Sequence, residues 1–334
     1  MEMSLEDLQL IHALQLAPRA PWAALGEVLG RHPTRLAAAW QRLTDSGAAW
    51  VMGHEQPDPG RSLTAFVELT LAPGSFATAI PWLCRLPQVA SVEEGVLDAD
   101  VRLTILTDTY EHFATDLLAT LRADSRVVRI RSAIATRAFA TGTVWRLDVL
   151  EPAQERALMA LGPAAGIATG APSGRGTPRG FTELMTVLRR DGRAPVSELA
   201  EAMGVHPATA SRRLQQALQE RLIAYRADMA LYDSGHPVLC QWYVRVPPQR
   251  MEAVYAFLTN YRTLRLCMAV TGDANMTFTL WLRHAGEVHQ LEQALLDQVP
   301  ETLLLHTDVG IRMHKRMGHM IGADSRATGE VIGW

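Results

Sequence analysis

Residues 19–33 and 193–207 align without a gap at a spacing of 174 positions. Arg19, Ala20, Pro21, Leu25, Glu27, Gly30, His32 and Pro33 recur as Arg193, Ala194, Pro195, Leu199, Glu201, Gly204, His206 and Pro207. Chance gives roughly one identity in such a window, so the chain reads as a duplication, and its fold must accommodate two copies of one unit.

Each copy opens with three short helical patterns. In the second copy, residues 181–189 are apolar at Phe181, Leu184, Met185 and Leu188, one face of a helix. Asp191-Gly192 breaks that pattern, and Pro195 opens a second helix over 195–203. Gly204 supplies a left-handed turn, and Pro207 starts a third helix to residue 220 that buries Ala210, Leu214, Ala217 and Leu218. Helix, glycine turn and a second helix opened by proline form a helix-turn-helix pattern. The first copy repeats it over 8–16, 21–29 and 33–46, closed by Gly47.

A βαββαβ pattern follows each tri-helical unit. In the second copy it runs through strand 238–246, helix 249–261, strands 264–270 and 276–282, helix 287–298 and strand 303–313. In the first it runs through 63–71, 76–86, 89–96, 101–106, 110–122 and 127–138. That order is a ferredoxin-like plait. The expected fold class is α+β: two winged-type helix-turn-helix domains at 1–52 and 181–227, and two plaits at 62–142 and 236–320. A connector and flexible linker over 143–180 and a tail over 321–334 complete the chain. The linker reading rests on the Gly-, Ala-, Pro- and Ser-rich stretch 162–180, which a short helix over 154–161 precedes.

The formal net charge is −3, so any nucleic-acid surface must be a local basic patch. Arginine dominates the cations, with Lys315 the single lysine. No apolar run reaches the ~20 residues that span a bilayer, and residues 1–7 do not read as a signal peptide. A cytoplasmic protein without membrane contact is expected. Cys84, Cys240 and Cys267 are few, odd in number and flanked by apolar residues, which argues for buried thiols and against disulfides or zinc. No cofactor is expected. The His- and Met-rich segment 313–320 reads as a strand end, with metal ligation the lesser reading.

A helix-turn-helix followed by βαββαβ resembles the leucine-responsive regulator/AsnC (Lrp/AsnC) family, whose plait is called the RAM domain. The second copy carries the stronger likeness: Asp191-Gly192-Arg193 at the first helix break, residues 204–214 as turn and recognition helix, and Thr271-Gly272-Asp273 at the family's Gly-Asp turn. His32 and His206 stand where the family usually has a capping serine. Histidine is a poorer cap, so less firmly fixed helix starts are expected there.

The resemblance implies a transcriptional regulator that binds double-stranded DNA, self-associates through its RAM domains and responds to a small effector, often an amino acid. The candidate DNA-binding residues are Arg31, Thr34, Arg35 and Arg42 in the first copy, and Thr209, Ser211, Arg212, Arg213 and Gln216 in the second. Arginine and glutamine can pair bidentately with guanine and adenine, while hydroxyls serve bases or phosphates. No acid occurs from Arg31 to Thr44 or from Val205 to Gln219. Thr209, Ser211 and Arg212 lead the second recognition helix and are favoured over Gln216 for base contact. Ala37, Ala38 and Ala39 leave the first helix poorer in hydrogen-bonding groups. Candidate effector residues are Gly272, Asp273, Ala274 and Asn275, whose turn offers backbone amides and a carboxylate; an ordinary hairpin turn is the plainer reading. The corresponding hairpin of the first copy, with Glu94, Gly95, Val96, Leu97 and Asp98, is a weaker match.

No catalytic residues are expected, because phosphate-loop, Cys-x-x-Cys, His-Glu-x-x-His and Gly-x-Ser-x-Gly motifs are all missing. The alternative is an enzyme resembling the sirohaem decarboxylases, which use the same two-domain chassis. Their histidine- and tyrosine-bearing strand is not matched by residues 265–270.

Overall fold

The computed structural model describes residues 3–56, 62–97, 99–143, 145–161 and 177–333. Residues 144 and 162–176 of the expected connector and linker, and Asp98 of the first hairpin, lie outside the described residues. In chain order the first copy contains α1 (Leu5–Leu16), α2 (Trp22–Leu29), α3 (Pro33–Asp45), β1 (Ala49–Glu55), β2 (Leu63–Leu71), α4 (Phe76–Arg85), β3 (Val89–Glu94) and β4 (Val101–Thr107). Helices α5 (Tyr110–His112) and α6 (Ala119–Ala123) are joined by a π-helical stretch, Phe113–Leu118, and β5 (Val127–Ala140) follows. After α7 (Pro152–Met159) come α8 (Phe181–Arg190), α9 (Val196–Ala202), α10 (Pro207–Gln219) and β6 (Ile223–Met229). The last part holds β7 (Val238–Arg245), α11 (Met251–Leu258), β8 (Leu264–Val270), β9 (Met276–Leu282), α12 (Glu287–Gln298) and β10 (Leu303–Gly310). Strands β11 (Arg312–Arg316), β12 (His319–Ile321) and β13 (Ala327–Val331) end it.

These elements form two compact units, each drawn from two separate stretches of chain. One takes residues 1–58 and 146–230, the other 59–145 and 231–334.

In the first unit both tri-helical segments sit together, and β1 pairs antiparallel with β6. Met52 lies opposite Arg226, its own counterpart at the 174-residue spacing, so a local two-fold axis passes through that pair. Arg19 and Arg193 repeat the symmetry. Arg19 donates to the carbonyls of Gly192 and Ala194, and Arg193 to those of Pro18 and Ala20. The Arg193 guanidinium also lies 4.0 Å from the Trp22 ring centre. Burial lowers the Arg193 pKa to about 10, with a smaller push from Arg19.

In the second unit β5-β2-β4-β3 and β10-β7-β9-β8 each have the strand order of a plait. The first packs α4 and the π-containing helix on one face, around Leu69, Leu83, Leu103 and Leu121. The second packs α11 and α12 around Trp242, Phe278, Leu258 and Leu295. The copies align here at 175 positions, one more than in the helical unit: Ala65 pairs with Ile134 where Cys240 pairs with Val309. The two sheets join at both edges. β5 leaves β2 to pair with β8, and β11 pairs with β3. Arg137 opposite Ala269 has the counterpart Arg312 opposite Glu94, and a bulge follows Ala138 as it follows Met313.

The expected strand 303–313 is therefore two strands, broken at Ile311 where the chain changes partner from β7 to β3. The segment 321–334, expected as a tail, carries β13, which pairs with β12. The expected helix 249–261 opens as a 3-10 turn, Pro248–Arg250, before α11.

Candidate nucleic-acid interface

Apolar spacing orients both recognition helices. α3 buries Leu36, Trp40 and Leu43, and α10 buries Ala210, Leu214, Ala217 and Leu218. Pro33 and Pro207 hold the first helical position, where a missing N–H costs nothing. Gly30 and Gly204 have φ of 66° and 60°, the left-handed turn that reverses the chain before each helix. Both histidines act as caps. His32 Nδ1 accepts from the Thr34 amide and His206 Nδ1 from the Ala208 amide, each at 3.3 Å. The imidazole thus serves the expected serine's role at a distance near the long end for a hydrogen bond.

The outward faces differ. On α10, Arg212 and Gln216 are exposed, while Thr209, Ser211 and Arg213 are partly covered. Arg213 leans back toward Gly180, where an added Cβ would stand 3.1 Å from its Nη1. Gln216 bonds Glu220 at 3.0 Å. Arg212 enters no ion pair among the described residues.

On α3 the cations are partly neutralised. Arg42 pairs with Asp7 at 2.5 Å. Arg31 bonds the Glu6 carbonyl at 3.1 Å and Gln9 Oε1 at 2.6 Å, with the Glu6 carboxylate 3.6 Å away. Thr34 and Arg35 are exposed, and Arg35 enters no ion pair among the described residues. The acids that meet Arg31 and Arg42 come from the start of α1, where Ser4 and Asp7 cap each other reciprocally. Local composition could not expose this pairing, because the partners lie 35 residues apart in the case of Arg42.

At the second hairpin, Gly272 has φ of 115° and is exposed with Asp273; Ala274 and Asn275 are half-buried. Arg245 donates to the Asp273 carbonyl at 2.7 Å, leaving the carboxylate outside that bond. Asn275 is committed to the fold: its Oδ1 accepts from the Val246 amide at 2.8 Å and its Nδ2 donates to the Val246 carbonyl at 2.7 Å. Its counterpart Asp100 accepts from the Leu71 amide at 2.7 Å, the same bond in the first plait. Among the described residues no group of three or more His, Cys, Asp or Glu side chains is placed to hold a metal. No described helix is long and apolar enough to cross a membrane.

These helices and plaits define a winged helix-turn-helix and ferredoxin-like architecture. Residues 182–217 match the family model of the AsnC-type helix-turn-helix domain. The HTH-type transcriptional regulator FL11 of Pyrococcus horikoshii is 22% identical over 136 residues, 40% of this chain and 88% of that protein. FL11 of Pyrococcus abyssi is 20% identical over 133 residues, 40% of this chain and 87% of its own. In structure the chain is similar to the siroheme decarboxylase NirDL, with a TM-score of 0.59, 11% identity and 93% of each chain covered.

Proposed function

We propose that this protein is a sequence-specific DNA-binding transcriptional regulator, a tandem duplication of a helix-turn-helix and a RAM domain. The observation that carries the reading is the local two-fold in the helical unit. Paired readers related by a two-fold suit two half-sites of a pseudo-palindromic operator. Here both readers belong to one chain, so the half-sites need not be identical. α10 brings Thr209, Ser211, Arg212, Arg213 and Gln216 to its half-site. α3 brings Thr34 and Arg35, with Arg31 and Arg42 already engaged by α1. A small metabolite such as an amino acid is the proposed effector, held at residues 272–275 by backbone amides of the turn and the Asp273 carboxylate.

Selection of bound fragments from genomic DNA, then titration against selected and scrambled duplexes at several salt concentrations, tests this. A cognate-to-random preference of at least ~10³ is expected for a specific regulator. Equal binding to both duplexes rejects the reading.

The whole-chain likeness to NirDL favours a second reading, an enzyme acting on sirohaem. Incubation with sirohaem, followed by its absorption spectrum and by product mass, separates the two. Decarboxylated product with no DNA preference would establish the enzyme.

A further inference from the structure

The interface between the two plaits has two symmetric halves, and they have diverged into opposite chemistries. In one half Phe66, Ala133 and Ala135 of the first plait meet Leu266, Met268 and Val270 of the second, an apolar cluster. At the 175-residue spacing the counterparts of these residues in the other half are Gln241, Asp308 and Gly310 of the second plait and Ser91, Glu93 and Gly95 of the first, and here Asp308 lies against Gly95, where an added Cβ would stand 3.2 Å from Oδ2. Arg102 enters this half from β4, and its Nη1 lies 2.7 Å from Asp308 Oδ2, both side chains only 5% exposed. Its Nη2 lies 3.4 Å from Glu93. Gly310 makes room for this guanidinium: an added Cβ would stand 2.9 Å from Nη2.

The axis between the halves is equally unsymmetric. Glu68 and Tyr243 are counterparts, and they meet, the Tyr243 hydroxyl donating to the Glu68 carboxylate. Arg131 and His306 are also counterparts, and both approach Glu68, at 3.9 and 4.0 Å. His306 stacks on Tyr243 with ring centres 4.2 Å apart.

We infer that this polar half makes the pairing selective: a first plait accepts a second plait and rejects another copy of itself. Two first plaits would bring Glu68 against Glu68 and bury Arg102 beside Phe66 and Ala133 with no Asp308. Two second plaits would bury Asp308 against Met268 and Val270 with no Arg102. Removing one partner of a buried ion pair leaves an uncompensated charge, which costs far more than the pair itself contributes. Partner choice through misplaced charge is a general route to specificity. The partner that fits either surface is therefore the other plait, of the same chain or of a second copy of this chain.

Charge reversal in the full chain tests this. Asp308→Arg and Arg102→Asp should each lower Tm by roughly 10 °C or prevent folding. The double variant, which restores the pair with its ends exchanged, should recover most of the loss. The two single variants, unfolded together and refolded together, should form a 1:1 complex of twice the chain mass by light scattering. In that complex each first plait meets an opposite charge on the other chain. Either single variant refolded alone should yield no such dimer. A stable dimer of one single variant, single variants with wild-type Tm, or a double variant no better than the singles would each overturn the inference.

Discussion

Arg19 and Arg193 bond the carbonyls on either side of one another, each guanidinium bracketing the other's place in the chain. Two like charges brought this close must be held by acceptors, and four backbone carbonyls supply them. Hydrogen bonds to a charged donor contribute about 1.5–3 kcal/mol each to stability. Arg193→Ala should therefore lower stability by about 2–3 kcal/mol, after allowance for relief of the repulsion. If the clasp also sets the angle between the recognition helices, the variant should lose affinity for a duplex carrying both half-sites while keeping its affinity for a single half-site. Chemical denaturation and titration of both duplexes measure this; equal loss on both would show that the clasp acts on folding alone.

The contact between Asp7 and Arg42 leads to the opposite expectation for DNA. Asp7→Ala removes one acid beside α3 and frees a cation for phosphate. Random-sequence DNA should then bind more tightly, with a salt dependence steeper by about one counterion. Because Asp7 also closes the capping box with Ser4, stability should fall by about 1 kcal/mol. Titration against one scrambled duplex at several salt concentrations settles it, and an unchanged slope would mean that Arg42 does not reach the phosphates.

The outlines of these elements were legible in the sequence because they are written locally. Proline, glycine and a period near four residues mark each recognition helix, and strand runs 264–270 and 276–282 coincide with β8 and β9. Relationships between distant residues were not legible. β1 and β6 are largely buried and carry no alternating pattern, so nothing local announced that they pair. Arg102, Glu93 and Asp308 belong to three separate strands, and only the fold brings them together. Short strands β12 and β13 lie among Gly, Asp and Ser, which ordinarily mark loops. The repeat itself, read at 174 positions, was the one long-range signal, and it pointed to counterpart positions without saying that some of them touch; the spacing of 175 in the plaits emerges only from strand register.

At the effector turn the structure narrows the candidates. Asn275 holds Val246 at both backbone groups, so Asn275→Ala should destabilise the plait by about 1–3 kcal/mol whatever the ligand. Asp273→Ala should leave stability near wild type but abolish any thermal shift caused by an amino acid. A ligand at ~100-fold saturation would stabilise the wild type by about 3 kcal/mol. Thermal denaturation across a panel of amino acids measures both, and a wild-type shift that survives in the Asp273 variant would place the effector elsewhere.

The two recognition helices should divide the work of reading DNA. At the 174-residue spacing Arg35 matches Thr209 and Ala38 matches Arg212, so the helices place their free cations on different turns. Base discrimination needs directed donors and acceptors, whereas phosphate anchoring needs only charge. Arg212→Ala should cost about 1–3 kcal/mol on the cognate duplex and relax specificity at one position. Arg35→Ala should weaken cognate and random duplexes alike and flatten the salt slope by about one counterion. If Arg35→Ala relaxes specificity while Arg212→Ala leaves the cognate-to-random ratio intact, the assignment of the two helices is reversed.

Lys315 gives the stability of the second unit a dependence on alkaline pH. The single lysine of the chain is fully buried, and its ammonium donates to the Leu86 carbonyl at 3.2 Å. Desolvation lowers its pKa from 10.5 to about 8, partly offset by the nearby Cys84. A folded pKa below the unfolded one means that the unfolded chain holds more protons between those values. Stability from this group is therefore fully present above about 10.5, and it is lost as pH falls toward about 8. At neutral pH the buried ammonium is a net cost. Lys315→Met keeps the apolar stem and removes the charge, at the expense of one hydrogen bond to Leu86. The variant should be more stable than wild type at pH 7, by about 1–2 kcal/mol. Its advantage should shrink as pH rises from about 8 to about 10.5, as the wild-type amine loses its proton. Urea denaturation of both proteins across that range checks the sign, and a difference that stays constant with pH would show that Lys315 does not titrate there.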